Sequence, residues 1–244
     1  MQKSYKNLAK YYDLFYQSKD YQSEIDFILE LVKKHKINKE TVLDVGCGTG
    51  THLSLLKSHF QVLHGIDLNQ EILEIAKKKV PNAKFACAGM SDFEISRKFD
   101  LITCLYSVFN YNMDVKSATK TLENFRKHLN VGSICVIALY NERNTSKQVS
   151  IHVGEKQSRK AAKINQFKYY PKERIVKSDH LVFTKDNGNV DFDVEVEDTF
   201  RIFDFDEIEK IVNESGFDKY EIFDGFGFDE ATEETKYPVL VLFK

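Results

Sequence analysis

Along the first 140 residues the apolar positions alternate between the period of a helix and short continuous runs. In residues 24–35, Ile25, Ile28, Leu29 and Val32 fall on one helical face, with Ser23 as the expected N-cap. Thr41–Val45 is a short apolar strand, Thr51–Ser58 a helix and Val62–Ile66 a second strand. A helix capped by Asn69 runs through Ile72, Leu73 and Ala76 and is closed by Pro81. Lys84–Cys87 and Phe99–Leu105 are the next strands. Val115, Ala118, Leu122, Phe125 and Leu129 form the stripe of a helix before a fifth strand, Ser133–Leu139. Strands alternating with helices predict a doubly wound α/β fold with a parallel sheet.

From about 150 to 203 the helical period fades and strict alternation takes over, clearest over Asp191–Glu197 after the turn Asp186-Asn187-Gly188-Asn189. This stretch predicts an antiparallel insertion. A helix over Asp206–Ser215, stopped at Gly216, and strands near 218–223 and 237–243 then complete the core. The expected organisation is residues 1–150 as an N-terminal lid and cofactor-binding core, 151–203 as the insertion on the substrate or oligomer side, and 204–244 as completion of the core.

Composition narrows the partners. A formal net charge of −2 gives no basic domain for nucleic acid. No run approaches the roughly 18 apolar residues that span a bilayer. Cys47, Cys87, Cys104 and Cys135 form no C-x-x-C pair and sit in or beside apolar runs, which suits reduced thiols rather than disulfides or zinc. The expected location is the cytoplasm, and no metal site is expected.

The strongest chemical signal is Val42-Leu43-Asp44-Val45-Gly46-Cys47-Gly48-Thr49-Gly50-Thr51, a strand entering a glycine turn that opens a helix. Glycine lets such a turn adopt positive φ and lets a ligand approach the main chain without meeting a Cβ. Dinucleotide sites also use glycine turns, but with G-x-G-x-x-G spacing, whereas this turn is G-x-G-x-G with Asp44 two positions before it. Asp67, at the end of the second strand, can accept hydrogen bonds from a ribose diol; alone it signals ribose rather than one cofactor.

The turn resembles motif I of class I S-adenosylmethionine-dependent methyltransferases. Tyr11-Tyr12-Asp13-Leu14-Phe15-Tyr16, Lys19-Asp20-Tyr21 and Glu24, with Phe99–Ser107, resemble the bacterial N,N-dimethyltransferases of nucleotide-linked amino sugars. The resemblance implies a Rossmann-like, mostly parallel seven-stranded sheet ending in an antiparallel hairpin. It implies S-adenosyl-L-methionine as cofactor, S-adenosyl-L-homocysteine as product and a small-molecule acceptor such as a nucleotide-sugar. A homodimer is a further expectation; nucleic acid and membrane are not expected partners. The candidate cofactor residues are Tyr21, Asp44, Gly46, Cys47, Gly48, Thr51, His52, Asp67, Leu68, Gly89, Met90, Ser91 and Leu105. Among them Tyr21 would reach the methionine carboxylate, and Met90 would pack on adenine or simply fill the core.

At two points the chain departs from the family. Gly89 stands where an adenine-contacting Asp is usual, so Ser91 or Asp92 has to replace that contact. Asn110-Tyr111 follows the fourth strand in place of Gly-His, and no tryptophan follows the fifth.

Tyr12, Tyr106 and Tyr111 are the candidate catalytic residues, with Tyr12 near the transferring methyl; aromatic packing in a lid would account for Tyr12 equally. Methyl transfer from a sulfonium is an in-line displacement that needs positioning above all. An amine acceptor needs no strong base, whereas a hydroxyl does. His152 and His180 are the histidines of the insertion, and neither stands in an evident base motif, which favours an amine. Residues 155–177 carry eight Lys or Arg against two Glu, and 186–209 carry ten acidic residues against one Arg. That asymmetry suits either a diphosphate site through Arg174 and Lys177, or two hairpin faces pairing with each other. An O-methyltransferase and a non-catalytic S-adenosylmethionine-binding subunit are the competing readings.

Overall fold

The computed structural model describes residues 9–144, 149–217 and 219–244, and within these all side chains except those of residues 193–197. A short 3-10 turn, Ala9–Tyr11, leads into α1 (Tyr12–Phe15), followed by α2 (Tyr21–Lys34). The cap of α2 is Asp20, whose carboxylate accepts from the Ser23 amide at 3.0 Å, so the helix starts one turn earlier than the apolar stripe suggests. The core then alternates β1 (Thr41–Val45), α3 (Thr51–Leu56), β2 (Val62–Asp67), α4 (Gln70–Lys79), β3 (Lys84–Cys87), β4 (Phe99–Cys104), α5 (Val115–His128) and β5 (Leu129–Ala138).

Four long strands follow: β6 (Val149–Lys156), β7 (Arg159–Tyr170), β8 (Ile175–Asp186) and β9 (Asn189–Arg201). Then α6 (Phe205–Glu214), β10 (Lys219–Asp224) and β11 (Pro238–Phe243) end the chain. β5 begins four residues before the expected Ser133, because Leu129 already pairs with Phe99 across a register shift.

The seven-stranded sheet has the order β10-β11-β5-β4-β1-β2-β3, and β11 alone runs antiparallel to its neighbours. Successive residues on the central strands point to opposite faces. Val42, Leu101 and Val136 therefore pack with Ile28, Leu31 and Leu53 on one side. Leu43, Ile102 and Cys135 pack with Leu122, Phe125 and Ile211 on the other. Each large side chain so buried contributes about 1.5–3 kcal/mol.

Strand order reverses between β1 and β4, and ligands of doubly wound sheets bind at the carboxyl ends of strands at that switch point. The second sheet, β6-β7-β8-β9, is antiparallel throughout. Its β8–β9 turn passes through Asn187 (φ 48°) and Gly188 (φ 90°), as the Asn-Gly signal requires.

The N-terminal segment is the bridge between the sheets. Tyr11, Leu14, Phe15 and Tyr16 pack with Ala161 and Val182 of the antiparallel sheet. The approach is close enough that a Cβ at Gly154 would lie 1.9 Å from the Leu14 carbonyl oxygen. Gly154→Ala should therefore push the lid off the sheet, destabilising the protein by about 1–3 kcal/mol. The expected readings are a Tm several degrees lower and faster proteolysis within residues 9–20; an unchanged Tm would contradict the close contact.

Candidate cofactor and acceptor site

β1 delivers the chain into Gly46 (φ 69°), Gly48 (φ 52°) and Gly50 (φ 77°). The positions differ in what they protect. A Cβ at Gly46 would meet both methyls of Val108 at 2.6 Å, whereas at Gly48 nothing lies within 4 Å. Position 46 is thus closed by packing and position 48 is open to a ligand. The Gly46 and Cys47 amides both donate to the Ile66 carbonyl, at 2.8 and 2.9 Å, which welds the turn to the end of β2.

Two carboxylates flank this opening. Asp67 accepts from the Gly48 amide at 3.0 Å and from the Asn69 amide at 2.9 Å. Each of its oxygens keeps a second lone pair for a ligand hydroxyl. Asp44 is 1% exposed; its Oδ1 accepts from Thr103 Oγ1 at 2.7 Å, while Oδ2 is buried with no hydrogen-bond partner among the described residues. Burial pushes the Asp44 carboxyl above the ordinary carboxylate value, against the opposing pull of His52 and the Thr103 hydroxyl. An unsatisfied buried acceptor costs about 1–3 kcal/mol, which a donor or cation arriving from the site would relieve.

The lid is latched to the glycine turn. Thr49 Oγ1 donates to Asp13 at 2.6 Å, and Lys79 Nζ donates to Asp13, Thr49 and Thr51 at 2.8, 3.0 and 2.8 Å. Thr51 is therefore held by Lys79 at the start of α3. Beside it, Glu24 of α2 joins His52 Nε2 at 2.7 Å and also accepts from Lys19. Tyr21 stands edge-on to His52, with ring centroids 5.0 Å apart, and under the Lys19 ammonium at 4.1 Å. Tyr21, Asp44, Thr51 and His52 are thus brought to one end of the site.

At the other end Leu68 is 71% exposed. Met90 is half-buried, its sulfur 3.6 Å from Asn112 Nδ2. Gly89 leaves room for a neighbouring carboxylate: a Cβ there would sit 2.8 Å from Asp92 Oδ1. Asp92 therefore fills the space of the side chain missing at 89, and Ser91 stands beside it, half-buried. Cys47 and Leu105 are packed in the core, 5% and 3% exposed.

Four tyrosines gather at the carboxyl end of β4. Tyr106 (φ 57°) and Ser107 (φ 62°) are both left-handed, a strain of about 1–2 kcal/mol per residue that turns the Tyr106 ring toward the lid. Its ring lies 5.2 Å from Tyr16, which lies 5.0 Å from Tyr12 and 5.1 Å from His152. Burial of its hydroxyl end pushes the Tyr106 phenol well above its ordinary value.

Asn110 is fully buried and fixes the next turn. Its amide donates to the Arg201 and Tyr140 carbonyls at 2.7 and 3.2 Å, and its oxygen accepts from the Tyr140 amide at 2.8 Å. Tyr111 follows, and its hydroxyl donates to Asp198 Oδ2 at 2.6 Å. Tyr12, Tyr106 and Tyr111 therefore share one neighbourhood.

The antiparallel sheet contributes residues that periodicity does not single out. Lys163 is 2% exposed on β7, with His152 and Val182 as its strand partners. His180 is buried, its Nδ1 2.6 Å from Asn165 Oδ1. Asn165 in turn donates to Ser150 at 2.8 Å, and Ser150 stands 3.3 Å from His152. Burial and then Lys163 push His180 down to about 3 and lower His152 as well.

Polar residues at alternate positions facing buried neighbours were the available sequence signal, but in a solvated sheet the same alternation marks the outer face. Of the two residues expected to hold phosphate, Arg174 is engaged by Asp204 and Glu207, the latter at 2.8 Å. Lys177 lies over the Tyr170 ring at 5.8 Å. Arg174 thus pairs with acidic residues just beyond the insertion, while Arg159 pairs with Asp186 inside it.

The Glu24 cluster carries a pH signature. Burial works to raise the Glu24 carboxyl, but the hydrogen bonds from His52 and Lys19 overcome it and hold the group below the ordinary value. A depressed folded-state value means its stabilisation is present above the unfolded carboxylate range near pH 4.3 and is lost as pH falls further. Glu24→Gln should cost about 3 kcal/mol at pH 7, by breaking a buried pair. In urea titrations the gap from the parent should close below about pH 4; a constant gap would show that charge is not the cause.

Residues 42–132 match the family model described as a methyltransferase domain. The chain is 34% identical over 131 residues to a Streptomyces venezuelae dTDP-3-amino-3,4,6-trideoxy-alpha-D-glucopyranose N,N-dimethyltransferase, covering 53% of this chain and 55% of that protein. It is 33% identical over 132 residues to a Streptomyces fradiae dTDP-3-amino-3,6-dideoxy-alpha-D-glucopyranose N,N-dimethyltransferase, covering 53% and 52%. The aligned region thus spans about half the length of these curated relatives. In fold the likeness is longer. DesVI of Streptomyces venezuelae superposes with a TM-score of 0.84 at 24% identity, over 96% of this chain and 97% of that one. The sugar N-methyltransferase KedS8 from Streptoalloteichus superposes at 0.81 and 23%, over 96% and 93%. Residues 42–132, which hold the glycine turn, the two carboxylates beside it and most of the strands of the central sheet, are thus similar to a methyltransferase domain, in a sheet of the Rossmann-like class.

Proposed function

We propose that this protein is an S-adenosylmethionine-dependent methyltransferase acting on the amine of a nucleotide-linked amino sugar. The observation that carries the cofactor assignment is the pair of carboxylates around the open Gly48: Asp44 with a buried, unpartnered oxygen, and Asp67 with spare lone pairs on a pinned side chain. The first suits the methionine ammonium and the second a ribose diol. Leu68 and Met90 offer apolar flanks for adenine, and Asp92 with Ser91 supplies polar atoms near Gly89 for its amino group. Tyr21 and His52 stand at the amino-acid end.

When bound, the cofactor supplies an electrophilic methyl on a sulfonium. The chain's own residues then have to exclude water and hold the acceptor nitrogen in line, which is worth roughly 7–11 kcal/mol. The lid latched through Asp13 does the first; Tyr12, Tyr106 and Tyr111 do the second. The likeness to enzymes whose names specify dTDP-amino sugars supports the acceptor class. A hydroxyl acceptor is the second reading, favoured by one observation, His152 held toward its neutral form against Tyr16. Among the described residues no helix is long and apolar enough to cross a membrane, and the four cysteines are free, which suits a reducing cytoplasm.

The outer face of the antiparallel sheet supports a homodimer. Ile151 and Val153 of β6, with Leu181, Phe183 and Phe192 of β8 and β9, are exposed, and Phe183 and Phe192 pair across the strands at 4.8 Å. A patch of this kind on a monomer is unusual, and a second copy offers the same face about a two-fold axis. Phe183→Lys should give a monomer by light scattering, whereas an unaltered mass would exclude this face.

Calorimetric titration with S-adenosylmethionine and, separately, NAD tests the cofactor. Asp67→Ala should weaken S-adenosylmethionine binding at least tenfold with the fold intact by circular dichroism, about 1.4 kcal/mol. Binding of NAD alone would overturn the assignment. Methyl transfer to dTDP-amino sugars but not to the matching hydroxy sugars would establish the amine.

A further inference from the structure

The hydroxyl hydrogen of Tyr111 has a defined destination: the phenol donates to Asp198 Oδ2 at 2.6 Å. Asp198 is 8% exposed and sits on β9 opposite Ser178, just before the register shift that separates Ser178 from His180. Asn110 fixes the turn that carries Tyr111 to the carbonyls of Arg201, on the same strand, and of Tyr140. The Tyr111 ring packs edge-on against Phe200, with centroids 6.4 Å apart. The hydroxyl is therefore held by β9, and the turn that carries it is tied to the end of the same strand.

A phenol hydrogen committed to a carboxylate leaves the phenol oxygen as an acceptor only. An amine nucleophile has the complementary need. Its lone pair must point at the methyl, so its N–H bonds must be held by acceptors that do not compete for that lone pair. A phenol free to rotate would present its O–H to the amine and occupy the electrons that have to react.

We propose that Asp198 is a positioning residue for methyl transfer, acting through Tyr111 to keep that hydroxyl an acceptor for the N–H of the incoming amine. The proposal rests on the amine-methylation reading. In the step it serves, the nitrogen lone pair forms the N–C bond as the C–S bond breaks, and the C–S electrons stay on sulfur. The positive charge passes from sulfur to nitrogen, and the product ammonium later loses its proton to water. Burial followed by the nearby Asp198 charge pushes the Tyr111 phenol well above its ordinary value, so the hydrogen stays on Tyr111 throughout.

The test uses the full chain with S-adenosylmethionine and, as probes, dTDP-3-amino-3,4,6-trideoxy-α-D-glucose and dTDP-3-amino-3,6-dideoxy-α-D-glucose. Asp198→Ala and Tyr111→Phe should each lower kcat by about tenfold or more, with the KM for S-adenosylmethionine within about twofold of the parent. The double variant should be no slower than Tyr111→Phe alone, because the two act as one unit. Asp198→Asn, which keeps an acceptor oxygen, should recover part of the rate. Should Asp198→Ala fail to fold, Asp198→Asn introduced into the parent and into the Tyr111→Phe variant decides the matter: it should slow the first and leave the second unchanged. Equal rates for the parent, Asp198→Ala and Asp198→Asn overturn the inference alone, as does an Asp198→Asn defect of the same size in both backgrounds. Parent chain that binds S-adenosylmethionine yet methylates neither amino sugar removes the amine reading, and the inference falls with it.

Discussion

The site is organised around a carboxylate oxygen that is buried without a partner among the described residues. Asp44 stands at the carboxyl end of the central strand, next to the point where strand order reverses, with one oxygen held by Thr103 and the other left over. A doubly wound sheet places the ends of β1 and β4 side by side, and the crevice between them is where helices can no longer cover the strands. Nothing in packing alone favours an acidic side chain there. His52 and the Thr103 hydroxyl offset part of its desolvation, and Asp67 pins the adjoining glycine turn from the neighbouring strand.

The lid and the antiparallel sheet complete what the parallel sheet leaves open. Asp13 links the lid to Thr49 and Lys79, so the turn that would meet a cofactor is also the anchor of the segment that covers it. Gly154 permits the antiparallel sheet to meet the lid backbone directly. The tyrosines meet a polar row of the antiparallel sheet where the Tyr16 ring lies 5.1 Å from His152. In that row His180, Asn165, Ser150 and His152 follow one another by hydrogen bonds, beside Lys163. A polar wall kept from water demands mutual satisfaction of its groups, and that gives the pocket a fixed shape.

The elements of the core were legible in the chain because their signals are local. The stripe of Val115, Ala118, Leu122 and Phe125 and the continuous runs of β1, β4 and β5 need only nearest neighbours to be read. The same holds for the Asn69 cap and the Asn187-Gly188 turn. The start of α2 was misread at Ser23 because Asp20, Ser23 and Glu24 all carry capping chemistry, and only the backbone conformation selects among them. Arg174 looked available to a phosphate, since sequence distance hides Asp204 and Glu207, thirty and more residues away.

The sequence by itself determined the alternation of strands and helices, the glycine turn, and the carboxylates at 44 and 67 beside it. These depend on residue type at short spacing, where backbone dihedrals and helical or strand periods act. Only the tertiary structure decided that Tyr12 and Tyr106 both pack on Tyr16. It also decided that Lys163 and His180 are buried, and that Asp198 accepts the Tyr111 hydrogen bond across 87 residues of chain. Each of those depends on how two sheets and a lid meet. The energies that settle such meetings are summed over many weak contacts, so no single local pattern records them.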